Sequence, residues 1–232
     1  MLLFQAFRKL GRHMIKTAII QKRLLAVLAL CFGMLSNVQA KDWSFEVWLD
    51  KQKIGTHTFS FDNQQLQSRA NFEVKILFIN AYRYQHQADE TWQGACLSSL
   101  KAHTVEKKTV TDVSGQLKEG QFVIDKQEGK NEEKQALPAC TMTFAYWNPA
   151  ILKQTKLLNP QNAEYLDVTV TDDGAKTLMI KGQNILTHQY HLTGRYKGKD
   201  KLNITLWYDQ QQDWVALESV TPEGYKIIYR LI

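Results

Sequence analysis

Cysteine, proline and glycine are all scarce in this sequence. Its 232 residues include 3 Cys, 4 Pro and 12 Gly, too few for a disulfide-dense scaffold, a collagen-like fibre or a low-complexity chain. A charged fraction of 22% and an aromatic fraction of 11% also exclude an intrinsically disordered protein, which lacks the apolar side chains needed to fold. A chain of this length can bury a sufficient core without a structural metal. We therefore expect a globular protein.

Acidic residues are absent from the first forty positions. This stretch carries six basic residues and then an uncharged apolar run of twelve residues, Leu24 to Leu35. A basic region, an apolar region and a small-residue cleavage site, here Val38-Gln39-Ala40, are typical of a secretory signal peptide. The sequence thus predicts a signal peptide over 1–40, cleaved between Ala40 and Lys41, with Met14 as an alternative start. The apolar run is shorter than the about 20 residues of a spanning helix, so no permanent membrane anchor is predicted.

The formal net charge of +6 belongs to this predicted leader. Without its six basic residues the chain has 23 Lys plus Arg against 23 Asp plus Glu, and the mature protein is formally neutral. Nucleic-acid-binding proteins concentrate basic residues on one surface. The densest remaining basic stretch, Arg195 to Lys201, is interrupted by other residue types and indicates a solvated hairpin turn. We expect an exported protein that does not bind nucleic acid.

Two cysteines, Cys96 and Cys140, remain after removal of the leader. An even pair in an oxidising compartment most simply forms a disulfide, and two buried thiols are the alternative. No histidine lies at ligand spacing from either cysteine, so no zinc site is predicted. The sequence carries no recognisable nucleotide-binding, zinc-protease or serine-hydrolase motif. We therefore predict no metal, no cofactor and no catalytic residue.

Alternation of apolar and polar residues with a period of two runs through the mature sequence. This period predicts half-buried β-strands, and it recurs at 42–50, 70–78, 82–92, 202–208 and 225–231. Turn signals occur at Ser114-Gly115, Asp172-Asp173-Gly174 and Pro222-Glu223-Gly224. Because no long helical period is found, we predict an all-β domain over 41–232. Its expected form is a single curved antiparallel sheet or half-open β-barrel, which limits exposed edges.

One interval departs from the strand pattern. Residues 120–137 are largely polar and predict a mobile loop or a loose hairpin, whereas the segment around 138–158 is rich in aromatic and apolar side chains. Asn148 as N-cap and Pro149 in the first turn predict a short helix over Ala150 to Lys156. We expect this insert to pack across a barrel mouth or a sheet face.

The strand from Tyr82 to Trp92 carries the main candidate site. Alternation places His86 and Glu90 on one face with Tyr84 and Trp92, an arrangement that suits a ligand pocket with a polar floor. The alternative is that neighbouring strands satisfy the two ionisable groups. His57 shares a face with aromatic residues and is expected to be a core or rim histidine.

Three further residues complete the predicted ligand site. Trp147 and Asn148 belong to an expected aromatic lid, and His188 shares a strand face with Leu186 and Tyr190. The alternative is that His188, like His57, is a core or rim histidine. His188 and His191 point to opposite faces of their strand, so they do not form a two-histidine metal site.

Six characteristic stretches are spread over the sequence after the leader. They are Tyr82-Arg83-Tyr84 with His86, Glu90-Thr91-Trp92 to Cys96-Leu97, Phe144 to Asn148, Leu157-Leu158-Asn159, Leu206 to Asp209 and Tyr229-Arg230-Leu231. These stretches resemble an uncharacterised exported bacterial family, domain of unknown function 6134. The resemblance covers nearly the whole mature chain and implies a β-rich periplasmic protein of a Gram-negative bacterium, without an established activity. Where that family favours Thr-Gly-Glu, this sequence has Asn162-Ala163-Glu164.

Three hypotheses about function follow from the sequence. The first is a periplasmic binding or accessory protein whose curved sheet holds a hydrophobic small molecule or lipid. The second is an envelope hydrolase or transferase that uses His86 and Glu90. The third is an interaction protein that pairs through an exposed sheet edge.

Overall fold

The computed structural model describes residues 40–76, 79–221 and 223–232, with the side chains of 75–81 left aside. The predicted signal peptide, apart from Ala40, lies outside the described residues. Among those described, no helix has the length and apolar character needed to cross a membrane. The folded unit comprises Ala40–Ile232.

Fourteen antiparallel strands form one sheet. Its spatial order is β8-β7-β6-β5-β4-β3-β2-β1-β14-β13-β12-β11-β10-β9, so the sheet is not closed, and β8 and β9 are its edges. The predicted all-β class and single antiparallel sheet are confirmed. The strands are β1 Lys41–Leu49, β2 Gln52–Asp62, β3 Gln65–Ile76, β4 Ile79–Gln93, β5 Cys96–Glu106, β6 Thr109–Lys118, β7 Gln121–Glu128, β8 Asn131–Pro138, β9 Lys156–Leu158, β10 Tyr165–Ile180, β11 Gln183–Tyr196, β12 Lys199–Asp209, β13 Trp214–Val220 and β14 Lys226–Leu231.

The two-residue period decides which face of the sheet is buried. In β1 the side chains of Trp43, Phe45 and Val47 are buried, while that of Asp42, on the other face of the strand, is exposed. The buried positions of the successive strands form one hydrophobic cluster. The apolar face of a single sheet must be buried against another segment of the chain. The insert between β8 and β9 supplies this cover.

The insert places aromatic side chains against the buried face of the sheet. The Trp147 ring lies 4.3 Å from that of Phe61, 5.4 Å from that of Trp92 and 6.4 Å from that of Trp43, between centroids. The Tyr208 hydroxyl donates a hydrogen bond to the Tyr146 carbonyl at 2.7 Å. The insert therefore completes the core, as expected for a segment that packs across a sheet face.

Backbone contacts hold the insert between distant strands. The Leu97 amide of β5 donates to the Thr141 carbonyl at 2.8 Å, and the Leu158 amide of β9 donates to the Met142 carbonyl at 2.9 Å. Cys96 and Cys140 form a disulfide with their Cα atoms 4.6 Å apart, which confirms the predicted pairing. The first residues of the insert are thus bonded both to β5 and to the edge strand β9.

A short 3₁₀ helix, Pro149–Lys153, occupies the place of the predicted helix. The Asn148 side chain accepts a hydrogen bond from the Ala150 amide at 3.0 Å, as expected for an N-cap. The helix ends at Lys153, three residues before the predicted end, and the next strand begins at Lys156.

Of the two forms predicted for residues 120–137, a mobile loop or a hairpin, the structure has the hairpin, since β7 and β8 pair in regular register. One turn predicted in the polar regions was wrong. Ser114-Gly115 is not a turn but lies inside β6, where a Cβ on Gly115 would meet the Phe122 ring at 2.5 Å. This glycine is needed because an aromatic side chain of the next strand occupies its space.

Asp172-Asp173-Gly174 was predicted as a turn and is instead an irregularity inside β10. The pairing of β10 with β11 shifts its register between Asp172 and Gly174, which is the pattern of a β-bulge. By contrast, the predicted turn near Glu223-Gly224 separates β13 from β14, and the basic stretch near Lys197-Gly198 joins β11 to β12.

Candidate functional site

The residues predicted to bind a ligand lie in three separate places. Tyr84 and His86 belong to an interior polar cluster. Glu90 and Trp92 lie beneath the insert, which contributes Trp147 and Asn148, and His188 lines an open cleft. The strand geometry explains the first separation, because residues four apart on one strand are about 13 Å apart.

Tyr84 and His86 are buried among aromatic rings and hydroxyl groups. The Tyr84 ring stacks on Phe72 at 5.2 Å between centroids, and His86 Nδ1 is hydrogen-bonded to Thr104 Oγ1 at 2.9 Å. His86 is only 6% exposed. Burial, with the nearby charge of Arg69, lowers the pKa of His86 to about 4. His86 is therefore a neutral, hydrogen-bonded histidine at physiological pH.

His57 extends this interior cluster. Its Nε2 is hydrogen-bonded to Ser68 Oγ at 2.7 Å and its Nδ1 to Tyr229 Oη at 3.1 Å, while its ring stacks on Phe59 at 4.1 Å. A serine beside an imidazole is one arrangement used for nucleophilic catalysis. Here burial lowers the pKa of His57 to about 3. Such an imidazole is a weak general base, so the pair is better suited to structure than to proton transfer.

Glu90 is the buried carboxyl group beneath the insert. It is 4% exposed, and its Oε2 accepts a hydrogen bond from Trp92 Nε1 at 3.0 Å. Burial raises the pKa of Glu90 to about 7, against the smaller opposing effects of hydrogen bonds from Thr143 and Trp92. Glu90 and His86 each have hydrogen-bond partners of their own. The two are thus placed as separate buried groups rather than as an acid–base pair.

Trp147 and Asn148 have structural contacts in the insert. Trp147 packs edge-on against Trp92 at 5.4 Å, and Asn148 caps the 3₁₀ helix. Trp92 is buried in the core. Trp147 and Trp92 thus hold the insert on the sheet, and Asn148 holds the first turn of the helix. None of the three is among the residues that line the open cleft described next.

An open cleft lies between the 3₁₀ helix and strands β10 to β12. Its volume is about 720 Å³, within the roughly 300–1,000 Å³ of small-molecule sites. We call it the helix–strand cleft. Its apolar and aromatic lining residues are Pro149, Ala150, Leu152, Ala175, Leu186, Tyr190 and Tyr208, and its polar lining residues are Lys153, Thr187, His188, Asp209, Gln210 and Gln212.

His188 is the one predicted ligand-binding residue that lines this cleft. Its Nε2 lies 2.5 Å from Asp172 Oδ1, and its ring stacks on Tyr190 at 4.9 Å. Asp172 also accepts a hydrogen bond from the Gly174 amide at 2.8 Å. The His188 contact and this amide lower the pKa of Asp172. The bulge in β10 therefore positions a carboxylate that orients the histidine.

Sequence reasoning missed most of this cleft. The alternation of Leu186, His188 and Tyr190 was visible, and it correctly placed these residues on one strand face. Asp172 was assigned to a turn, and Leu152 belonged to a helix whose packing partner was unknown. The contact between the 3₁₀ helix and β11 joins segments far apart in the chain, so no local pattern could reveal it.

The exposed sheet edge was the predicted surface for a protein partner. Edge strand β8 is mostly exposed and carries Glu132, Glu133 and Lys134 in succession. Charged side chains on an edge strand oppose pairing with another strand. The other edge, β9, has three residues and is bridged to the insert at Thr143 and Leu158.

The described residues contain no group of three or more His, Cys, Asp or Glu side chains placed to hold a metal ion. The polar lining residues of the helix–strand cleft offer both kinds of hydrogen-bonding group. Lys153 and the amides of Gln210 and Gln212 provide donors, and Asp209 provides acceptors.

Comparison with known proteins places the chain in a family. A family model described as "Domain of unknown function (DUF6134)" matches residues 45–232. The chain belongs to this family. The assignment confirms the resemblance found in the sequence. A search of curated proteins gave no match.

A solved structure shares the fold of this DUF6134 domain. It is described as a β-barrel-like protein of domain of unknown function DUF1849 from Brucella abortus, with a TM-score of 0.60 and 12% sequence identity. The match covers 82% of this chain and 94% of the other. At this identity the likeness concerns the fold alone.

Proposed function

We propose that this DUF6134 domain is an exported binding protein that holds an amphipathic ligand with an apolar chain in the helix–strand cleft. The observation that carries the proposal is Leu186, which is 48% exposed although it lines a concave site of about 720 Å³. Exposed apolar side chains inside a cleft commonly mark a binding site.

The lining of the cleft contains side chains that suit both parts of such a ligand. Leu152, Leu186 and Tyr190 can contact an apolar chain. Lys153 can donate a hydrogen bond to a polar head group, and Nδ1 of His188, whose Nε2 faces Asp172, can accept one. The interior of the sheet is filled by the insert, with Ile151 and Trp214 fully buried. These observations favour a ligand beside the 3₁₀ helix over one enclosed by the sheet.

Export is part of the proposal. The predicted signal peptide, the neutral mature charge and the Cys96–Cys140 disulfide support a periplasmic location, since disulfides persist in oxidising compartments. The folded unit begins next to the predicted cleavage position, because β1 starts at Lys41.

Titration with N-phenyl-1-naphthylamine, a probe that fluoresces in apolar sites, tests the cleft, and palmitate serves as competitor. We expect the exported protein to bind the probe and palmitate to displace it. Leu186→Asp should weaken probe binding about tenfold or more, because it replaces an apolar contact by a charge.

Met179→Asp is the matched control, since Met179 is exposed on the same hairpin but does not line the cleft. It should bind the probe as tightly as the unaltered protein. Absence of probe binding by the unaltered protein, or equal loss in both variants, would contradict the proposed site.

A further inference from the structure

The hairpin of β10 and β11 projects beyond the rest of the sheet. We define residues 174–187 as the β10–β11 arm. Its strands pair with each other from Lys176↔Thr187 to Ile180↔Gln183, whereas β12 pairs with β11 only from Thr187 onward. β9 pairs with β10 only at Tyr165–Asp167. Within the described chain, the outer part of the arm is thus a two-stranded ribbon without a neighbouring strand.

The arm carries apolar side chains that the fold leaves uncovered. Met179 is 68% exposed, the largest exposure among the exposed large hydrophobic residues described. Leu178, Ile180 and Ile185 are half-buried, and Leu178 is directly opposite Ile185. Met179 and Leu178 are neighbours in the chain and therefore lie on opposite faces. Each face of the ribbon near its tip therefore carries apolar side chains, Met179 on one face and Leu178 with Ile185 on the other.

The tip itself is a tight turn with a positive charge. Lys181 and Gly182 have φ angles of 48° and 77°, the two positive values that a type I′ hairpin turn requires. Lys181 thus stands at the end of the arm, and Lys176 lies on the same face as Leu178.

The carboxylates near the arm lie at its base and not at its tip. Asp172 and Asp173 directly precede Gly174 and are hydrogen-bonded to His188 and Gln189 of β11, and the chain contains no Asp or Glu between Gly174 and Lys199. In the β5–β6 hairpin a carboxylate lies at the turn itself, since Glu106 directly precedes Lys107. The arm is therefore a cationic apolar projection on a chain whose mature part is formally neutral.

We propose that the β10–β11 arm docks onto an anionic lipid bilayer and inserts its tip at the level of the head groups. Apolar side chains flanked by lysines are the combination that binds such an interface, through burial of apolar surface and attraction to anionic lipids. Charge complementarity favours this occupant. A second copy of the chain is less suitable, because a stable protein interface takes about 20–30 residues on each side, more than the arm offers.

This surface goes beyond the proposed ligand site, although the two are adjacent. Leu186 belongs to the arm and also lines the helix–strand cleft, so docking would bring the cleft near the lipid. Docking itself requires only Met179, the neighbouring apolar residues and the lysines. The two proposals can therefore fail separately.

Sedimentation with vesicles tests the docking proposal. The exported protein is mixed with vesicles of phosphatidylcholine alone or of phosphatidylcholine with phosphatidylglycerol. We expect binding to the anionic vesicles, weaker binding to the neutral ones, and release at high salt, because salt screens the attraction. The double variant Met179→Asp with Lys181→Glu should lower the partition coefficient about 100-fold, since each unit of charge contributes about a factor of five and the variant makes the tip more negative by three units.

A matched variant on the β5–β6 hairpin controls for charge. Val110 is 42% exposed, and Val110→Asp with Lys108→Glu makes the same chemical change near another turn. It should keep vesicle binding close to that of the unaltered protein, and circular dichroism should show both variants folded. Equal losses in the two variants, or no binding of the unaltered protein to anionic vesicles, would overturn the proposal. So would a dimer in light scattering that only the arm variant loses, without any vesicle binding.

Discussion

At the scale of single residues, Glu90 is a buried carboxyl group whose pKa is not lowered by a basic side chain of the described chain. Desolvation raises that pKa from 4.5 to about 7, and only hydrogen bonds from Thr143 and Trp92 oppose the effect. Ionisation therefore costs more in the folded chain than in the unfolded chain. His57 and His86 affect the pH dependence of folding in the opposite sense. Burial lowers their pKa values, so they stay neutral in the folded chain at a pH at which the unfolded chain protonates them, and the free energy of unfolding falls as the pH falls.

Replacement of Glu90 by glutamine should make folding less sensitive to alkaline pH. The folded protein binds the Glu90 proton more tightly than the unfolded protein, so the free energy of unfolding decreases as pH rises from 4.5 through about 7. The total decrease is about 3 kcal/mol. Urea unfolding at pH 5 and pH 8 should show that Glu90→Gln removes this part of the decrease. Glu132→Gln on the exposed edge is the control, and an unchanged pH dependence in Glu90→Gln would contradict the prediction.

At the scale of secondary-structure elements, the insert is what allows a single sheet to have a core. Fourteen strands bury one face, and the residues between β8 and β9 supply the opposing side chains. The same insert provides the 3₁₀ helix that forms one wall of the helix–strand cleft. Stability and the proposed ligand site thus depend on one segment.

Truncation of Trp147 should destabilise the protein more than truncation of an outer tryptophan. Trp147→Ala removes the contacts with Trp43, Phe61 and Trp92 and should lower the free energy of unfolding by about 3 kcal/mol. Trp48→Ala is the control, because the Trp48 ring packs under Arg230 at 4.4 Å on the other face of β1. A loss of about 1 kcal/mol is expected there. Similar losses in urea unfolding would argue against the insert as a part of the core.

At the scale of the whole molecule, the described domain begins where the predicted leader ends. β1 starts at Lys41 and pairs with both β2 and β14, so the first strand of the folded unit lies in the centre of the sheet. The backbone amide of Ile232 donates to the Ser44 carbonyl at 2.9 Å, which brings the last residue of the chain to β1. An uncleaved leader would extend from a central strand.

Mass spectrometry of the exported protein tests this organisation. We expect a mature chain that begins at Lys41 and that resists alkylation of Cys96 and Cys140 when it is denatured without a reductant. After reduction, both thiols should react. A product that begins before Leu24 would contradict the signal peptide, and two reactive thiols before reduction would contradict the disulfide.

Local sequence patterns were sufficient to predict the strands that have one solvent-exposed face and one buried face. β1, β4 and β12 show the two-residue period because their side chains point alternately to solvent and to the core. The period failed for β8, whose side chains are mostly exposed, since an edge strand needs few apolar residues. It also failed at Gly115 and Asp172, because their roles depend on Phe122 and on His188 of neighbouring strands.

The sequence by itself determined the all-β class, the family and the Cys96–Cys140 pairing, because these depend on periodicity, characteristic stretches and a count of two cysteines. The sequence also predicts export, because basic residues, an apolar run and a small-residue cleavage site follow one another in the first forty positions. Only the tertiary structure decided that Glu90 and Trp92 lie beneath the insert while His188 opens onto a cleft. Alternation places a side chain on a face of the sheet, but the segment that covers that face comes from elsewhere in the chain, and its contacts decide which residues remain open to solvent.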